Sequence, residues 1–485
     1  MPERAVLGLD LGTTEAKAGL FDLDGRPIGI AHEPYPTDLG ADGRAEQDPA
    51  DWWVAIASCV RVIETAGTEI VAICGVGQGP TLVAVDETGR PVRPAITWQD
   101  RRVGDGGFGL LPKLAWLARE DPRSSERARW LLSAWDGLGL WLSGRAATTL
   151  QRHEAALTRD ALRAAGIDPE RIPAPIRVGD RLGGLRAEAA ERLGLRVGIP
   201  IIAGVNDGTA SMLGAGLLEA GDAVDTGGAS GGFGVYVDRP LEIAGTFSAP
   251  APIDGRWVLG GAMASTGAAL DWLAEAVLGG RWSREELLAE AAAVPPGAGG
   301  LLFLPYLAGE RAPIFDENAR GVFFGLSLGH GRGHLVRAVL EGAAYAIRHV
   351  AEPILAAGVS VTELRLAGGP SRSELWSRIK ADVTGFPVAI PRVDETAVLG
   401  AAILAAAGAG LAADVATGVR RMTSVERRLA PDQDAHTRYS RMYETYRALY
   451  PALAPSFAAL ASVAELHPEP TAPSNDTPRG PFDPK

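Results

Sequence analysis

Cysteine is almost missing from this chain: Cys59 and Cys74 are the only two in 485 residues. They have neither metal-ligand spacing nor the number a disulfide framework needs, so both are expected in the core of a protein of a reducing compartment, the cytoplasm. Long apolar runs are missing too. The longest, "LGAAILAAAGAGLAA" at 399–413, is too short and too rich in glycine to span a bilayer. The opening "MPERAVLGLD" lacks the charged start, apolar stretch and small-residue cleavage site of a signal peptide, which argues against secretion. Positive charge is in deficit, with a formal net charge of −12 and no lysine or arginine tract. No nucleic acid and no membrane surface is therefore expected as a partner, and a polar small molecule fits better. Two familiar nucleotide cradles are absent as well. No GxxxxGK[ST] occurs, which excludes a P-loop, and "GQGPT" and "GGASGG" are too far from a dinucleotide fingerprint, with no helix following.

What is present alternates between helix and strand signals. "DPADWWVAIASCVRVIETAG" sets Asp48 as N-cap and Pro49 in the first turn, spaces Trp53, Ile56, Val60 and Ile63 helically, and closes on Gly67. "VAICGVGQG" follows as a buried strand running into a glycine turn. Farther on, Leu335, Val339, Ile347, Val350 and Ile354 predict a long amphipathic helix, and "LRLAGG" after it reads as strand and turn. The fold class is α/β, and the length calls for two large domains. The tail 467–485, rich in proline, serine and charge, has little to bury and is expected to be disordered.

One pattern occurs twice. "GLDLGTTEAKAGLFD" reads as strand, small-residue turn, strand; "GDAVDTGGASGGFGVYVD" repeats that order roughly 216 positions later, so that Gly12, Thr14 and Asp22 fall on Gly228, Ser230 and Asp238. Glycine lets backbone approach a ligand, and successive N–H groups of a tight turn bind anions. Phosphate is the obvious guest, with Thr13 and Thr14 as hydroxyl donors and Lys17 as a nearby cation. Asp10 would repel phosphate unless a magnesium ion lay between them, held by one carboxylate and phosphate oxygens. The plainer alternative is a strand-end aspartate capping its own turn. "GASGG" also fits the GxSxG of a hydrolase with Ser230 as nucleophile, but that motif must enter a helix and here a strand pattern follows. In "IIAGVNDGTASMLGAG" a strand delivers Asn206 and Asp207 to a turn. Either this is a capped helix start, or Asp207 is an unpaired carboxylate placed to take a proton from a hydroxyl.

From about residue 5 to residue 450 the chain resembles the FGGY carbohydrate kinases of the actin-like ATPase superfamily. The most specific stretch is "GVFFGLSLGHGRGHLVRAVLE" at 321–341. Supporting it in order are the first hairpin, "EQDPADWW", "PAITWQDRR", "FLPYLAGERAPIFDENARG" and "LRLAGGPSRSELW" followed by "LGAAILAA". The resemblance implies two actin-like domains, 1–218 on the sugar and phosphate side and 219–455 on the nucleotide side, with a nucleotide cleft between them. It implies ATP and Mg2+, with Asp10 near the metal, and Gly12, Thr13, Thr14 and Lys17 toward the phosphates. Gly228, Ala229 and Ser230 form the second phosphate segment, and Gly267, Gly368 and Gly369 bind nucleotide. Asp207 is implied as catalytic base, and Gln78, Trp98, Asp100, Arg101, Asn206 and Asp207 as the sugar contacts.

The expected reaction is ATP-dependent phosphorylation of a ketopentose such as D-xylulose. Departures from the pattern leave other acceptors open, among them ribulose, erythritol, glycerol and gluconate. Gly79 and Pro80 stand where xylulose kinases typically have Met-His, Gly208 where an amide is common, Glu15 for serine and Ala229 for threonine. A sugar acid would call for cations such as Arg101 and Arg102. An actin-like ATPase without a sugar substrate is the alternative from another class; "ITWQDRR" and "GVNDG" argue against it. No feature reports oligomeric state, and a homodimer is an expectation by analogy.

Overall fold

A computed structural model describes residues 3–40, 42–63, 67–103, 109–150 and 157–466. The tail expected to be disordered, 467–485, lies outside the described residues.

Strand Glu3–Leu11 is buried along most of its length, because "VLGLDL" is apolar on both faces of the sheet. It pairs antiparallel with Glu15–Asp22 and parallel with Thr68–Gly77. The full sheet has six strands in the order Arg181–Gly184, Pro200–Ile202, Thr68–Gly77, Glu3–Leu11, Glu15–Asp22, Pro27–Pro34. The second large sheet has seven, in the order Phe247–Pro250, Trp257–Ala262, Gly232–Val237, Asp222–Asp225, Glu363–Leu366, Val388–Pro391, Val425–Leu429. Its centre repeats the first: Asp222–Asp225 is antiparallel to Gly232–Val237 and parallel to Glu363–Leu366, which is parallel to Val388–Pro391. The two glycine hairpins thus occupy equivalent places in two α/β units, as the internal repeat predicts. A smaller five-stranded sheet, Asp38–Leu39, Ala45–Gln47, Ala95–Ile96, Leu82–Val85 and Trp130–Ser133, is built from the first half of the chain.

The helix predicted from Asp48 spans Pro49–Val62, and the Asp48 carboxylate accepts from the Ala50 N–H. Two details differ from the reading of the sequence. The buried face centres on Trp52, with Trp53 only half-buried, and the helix ends where Ile63 turns extended, before Gly67. Trp52 is drawn inward because its indole N–H finds an acceptor in Gln47 Oε1 at 3.0 Å. The long helix Arg332–Ala356 and the strand after it agree with the expected pattern; Val339, Ile347, Val350 and Ile354 are buried. Cys59 and Cys74 are free and buried. Among the described residues no helix is long and apolar enough to cross a membrane.

The Ala/Gly run forms the buried helix Thr396–Gly408. Although it follows strands of the second sheet, it packs on the first, where Gly8 and Gly19 make room for it: a Cβ on Gly8 would run into Val398 O, and one on Gly19 into the Val398 side chain. The helix Asp207–Gly214, which follows strands of the first sheet, turns the other way and sets Met212 against Gly234 of the second, where a Cβ would come within 2.8 Å of Met212 Cε. The two helices cross at glycines. A Cβ on Gly214 would collide with Thr396 O, and one on Gly400 with Ala210 O. Side chains from both sheets and both helices share one buried apolar cluster, which joins the two halves.

Candidate active site

The first turn is shaped by what holds its carbonyls. Gly12 O accepts from the Tyr35 hydroxyl and, at 3.1 Å, from Gln78 Nε2. Thr13 O accepts from Gln47 Nε2 at 2.8 Å, and Thr14 O from the Tyr35 N–H at 3.2 Å. Gln47 in turn receives Gln78 Nε2 (2.7 Å) and the Trp52 indole on its Oε1. With three successive carbonyls tied back, the amide and hydroxyl side of the turn is the side left for an anion. The Trp98 indole donates to Thr13 Oγ1 at 3.0 Å.

Asp10 sits in the strand entering that turn and is paired in register with Lys17 on the strand leaving it. Its carboxylate is buried, and Oδ1 has no hydrogen-bond partner. Burial, and then the neighbouring charge of Asp207, raise its pKa to about 7. An orphaned buried oxygen on an acid that resists ionisation fits a hard divalent cation, which would replace the missing partner and favour the charged form. Lys17 is not free to face a ligand. Its ammonium donates to Glu395 at 2.8 Å and lies 3.5 Å from Glu15. Burial would depress its pKa, yet Glu395 and Asp10 hold it above the ordinary lysine value. Glu395 also has His32 at 3.8 Å and Arg372 at 3.9 Å.

Strand Thr68–Gly77 ends beside the segment that leads to Asp207: Gly77 bridges to Asn206, and the Gln78 N–H donates to Leu11 O at 2.7 Å. Asn206 caps the helix Asp207–Gly214, its Oδ1 accepting from Thr209 N at 2.7 Å. Asp207 is the first helical residue, half-buried, with Oδ1 accepting from the Gly208 N–H at 2.7 Å. Burial raises its pKa, while the Gly208 N–H and Lys17 pull it back. Asp10, Lys17 and Asp207 therefore share one electrostatic site.

The second turn is held in the same manner. Gly227, Gly228 and Gly231 have φ of 61°, 79° and 80°, the left-handed region where glycine is free of strain. Ala229 O accepts from Thr266 N at 3.1 Å and Ala268 N at 2.9 Å, and Ser230 O from Thr266 Oγ1 at 2.9 Å. Gly267 lies so close that a Cβ there would collide with Gly228 O, which brings Gly228, Ala229, Ser230 and Gly267 together. Ser230 leads into strand Gly232–Val237, so it is not on a strand-to-helix elbow. Gly368, at φ 69°, donates to Asp394 O at 3.2 Å, and Gly369 opens the short turn to Arg372. Arg372 pairs with Asp394, the neighbour of Glu395, which links this glycine pair to Lys17.

On the sugar side one of the expected residues is held by protein partners. Asp100 does not offer an open carboxylate: it is buried, accepts from Ala45 N at 3.0 Å, and is gripped by Arg102 through Nη2 (2.6 Å) and Nε. Arg102 also pairs with Glu46 and stacks on Trp116 at 4.3 Å. Asp100 is thus a brace for the loop that carries Trp98. Arg101 reaches the other half of the chain, donating to Ala308 O at 3.3 Å. Gln78 is buried and keeps Oε1 without a partner, an acceptor for a hydroxyl. Gly79, where a larger residue was the norm, abuts Trp135; a Cβ would come within 2.7 Å of that ring. Tyr35, Gln47, Glu395 and Arg311 belong to the site and escaped the sequence reading. Gln47 and Arg311 stood in motifs that could have drawn attention, "EQDPADWW" and "FLPYLAGERAPIFDENARG".

Comparison with known proteins gives the family. Residues 5–105 match the N-terminal domain, and residues 224–409 the C-terminal domain, of the FGGY family of carbohydrate kinases. The xylulose kinase of Lactococcus lactis subsp. lactis (strain IL1403) is 30% identical, over 92% of this chain and 96% of its own. The glycerol kinase of Thermus brockianus is 34% identical, over 84% and 90%. Among solved structures, the xylulose kinase from Rhodospirillum rubrum superposes with a TM-score of 0.81 at 30% identity, covering 94% of this chain and all of that one (100%).

Proposed function

Since the chain belongs to the FGGY family of carbohydrate kinases, and so is an ATP-dependent phosphotransferase acting on a sugar hydroxyl, we propose that its acceptor is a ketopentose, D-xylulose. Support for the pentulose comes from the xylulose kinases to which the chain is similar along nearly the whole length of both. The first half carries the acceptor and phosphate sides, the second half the nucleotide side. The observation that carries the reading is the placement of Asp207, at the start of a helix, in one electrostatic site with Asp10 and Lys17 beside a turn whose carbonyls are all held away.

Phosphoryl transfer depends on in-line positioning and charge neutralisation more than on covalent help. The amide sides of the two glycine turns bind the phosphates, with the Thr13 and Thr14 hydroxyls as further donors. Mg2+, held by Asp10 Oδ1, would neutralise phosphate charge when bound. Gln78 Oε1 accepts a sugar hydroxyl and the Trp98 ring covers a C–H face. Asp207 takes the proton of the attacking hydroxyl. Its raised pKa makes it a stronger base than an exposed aspartate, and the Gly208 N–H fixes one oxygen so that the other faces the acceptor. Lys17, held by Glu395 at 2.8 Å, contributes its positive charge to the site from that position.

A coupled ADP-release assay across D-xylulose, D-ribulose, glycerol, erythritol and gluconate tests the substrate. The highest kcat/KM is expected with D-xylulose. A tenfold or greater preference for glycerol or gluconate would contradict the pentulose assignment, and ATP turnover stimulated by none of them would favour an ATPase without sugar substrate.

A further inference from the structure

Trp98 does more than the sugar-platform role accounts for. Its indole N–H, a donor and never an acceptor, points at Thr13 Oγ1 at 3.0 Å. A hydroxyl that accepts on one side has its own proton left for the other. The ring is also held from across the cleft: the Arg311 guanidinium lies 4.8 Å from its centroid. Arg311 is anchored in turn, with Nη2 donating to Met263 O at 2.7 Å and its backbone N–H to Glu310 Oε1 at 2.8 Å. Met263 N donates to Gly231 O at 3.2 Å, the last residue of the second glycine turn. A continuous path therefore joins the two turns: Thr13, Trp98, Arg311, Met263, Gly231. The loop of Trp98 is braced from behind by the pairing of Asp100 with Arg102 and Glu46.

Taking the first turn as the phosphate site, we propose that Trp98 is a positioning residue for Thr13: pinned by Arg311, its N–H fixes the Thr13 hydroxyl as acceptor, so that the Thr13 proton is presented to the phosphoryl group in transfer. The sugar takes the ring face that Arg311 leaves, so an occupied acceptor site and an oriented Thr13 go together. Coupling of this kind favours transfer to sugar over transfer to water.

Trp98→Phe removes the N–H and keeps an aromatic face for both sugar and Arg311. Its kcat is expected to fall about tenfold, with the acceptor KM within about threefold of wild type. Thr13→Val is expected to cost about a hundredfold in kcat, and adding Trp98→Phe to it less than about twofold more, because both changes remove one interaction. Arg311→Lys keeps the cation and should stay within about threefold of wild type, whereas Arg311→Gln should resemble Trp98→Phe. A wild-type kcat for Trp98→Phe, a loss confined to acceptor KM, or an undiminished loss in the Thr13→Val background would overturn the positioning role. A Thr13→Val enzyme indistinguishable from wild type would sink the phosphate reading of the first turn itself.

Discussion

Asp10 is a carboxyl that its surroundings hold against its charge. Its neutral form is favoured up to about pH 7, far above the ordinary value of 3.8, because burial and Asp207 oppose the charge. Below pH 4 the acid is protonated in both folded and unfolded chains and adds nothing to stability. Between pH 4 and 7 the unfolded chain releases the proton more readily, so stability falls as pH rises, by up to roughly 2–4 kcal/mol shared with Asp207. Asp10→Asn is therefore expected to raise the melting temperature of the nucleotide-free protein at pH 8 and to leave it almost unchanged at pH 4. Thermal scans at both values check this; an equal shift at both, or a fall at pH 8, would contradict a strained, uncompensated carboxyl.

At the scale of elements, the glycine hairpins and the long helix of the second half were legible because each is local: strand alternation, a small-residue turn, a 3.6-residue period. Asp207 could be singled out only through the family resemblance, since a capped helix start and a catalytic acid read alike. Tyr35, Gln47 and Glu395 were not legible. Their hydrogen bonds close over 23, 34 and 378 residues of chain, and no spacing rule reaches that far. Nothing in "TWQDRR" says that Arg102 folds back onto Asp100. The exchange of helices between the sheets was hidden too: "TAVLGAAILAAAG" is apolar on every side and has no period from which to choose a partner. Its glycines carry the information instead. Gly400→Ala puts a methyl group into Ala210 O where backbone meets backbone. It is expected to destabilise by about 2–3 kcal/mol, read as a lower denaturant midpoint at unchanged slope. A neutral effect would mean that the crossing is looser than described.

At the scale of the whole molecule, one element joins the candidate base to the contact between the two halves. Helix Asp207–Gly214 begins at the candidate base and ends at the glycine crossing where the two halves meet. Rotation of one half on the other about that crossing would shift Asp207 little while bringing the second glycine turn toward the first. Cross-cleft contacts are already in place at the mouth, from Arg101 to Ala308 O and from Arg311 to Trp98. Such a rotation around nucleotide and sugar would exclude water, the competing acceptor. The most direct measurement is the rate of ADP formation with the preferred sugar for Asp207→Ala beside wild type, together with the Kd for MgATP by calorimetry. Removing the proposed base is expected to lower kcat by about a thousandfold, with the MgATP Kd within about threefold because the turns proposed to bind phosphate are untouched. A kcat within tenfold of wild type, or loss of MgATP binding in step with the rate, would contradict the account.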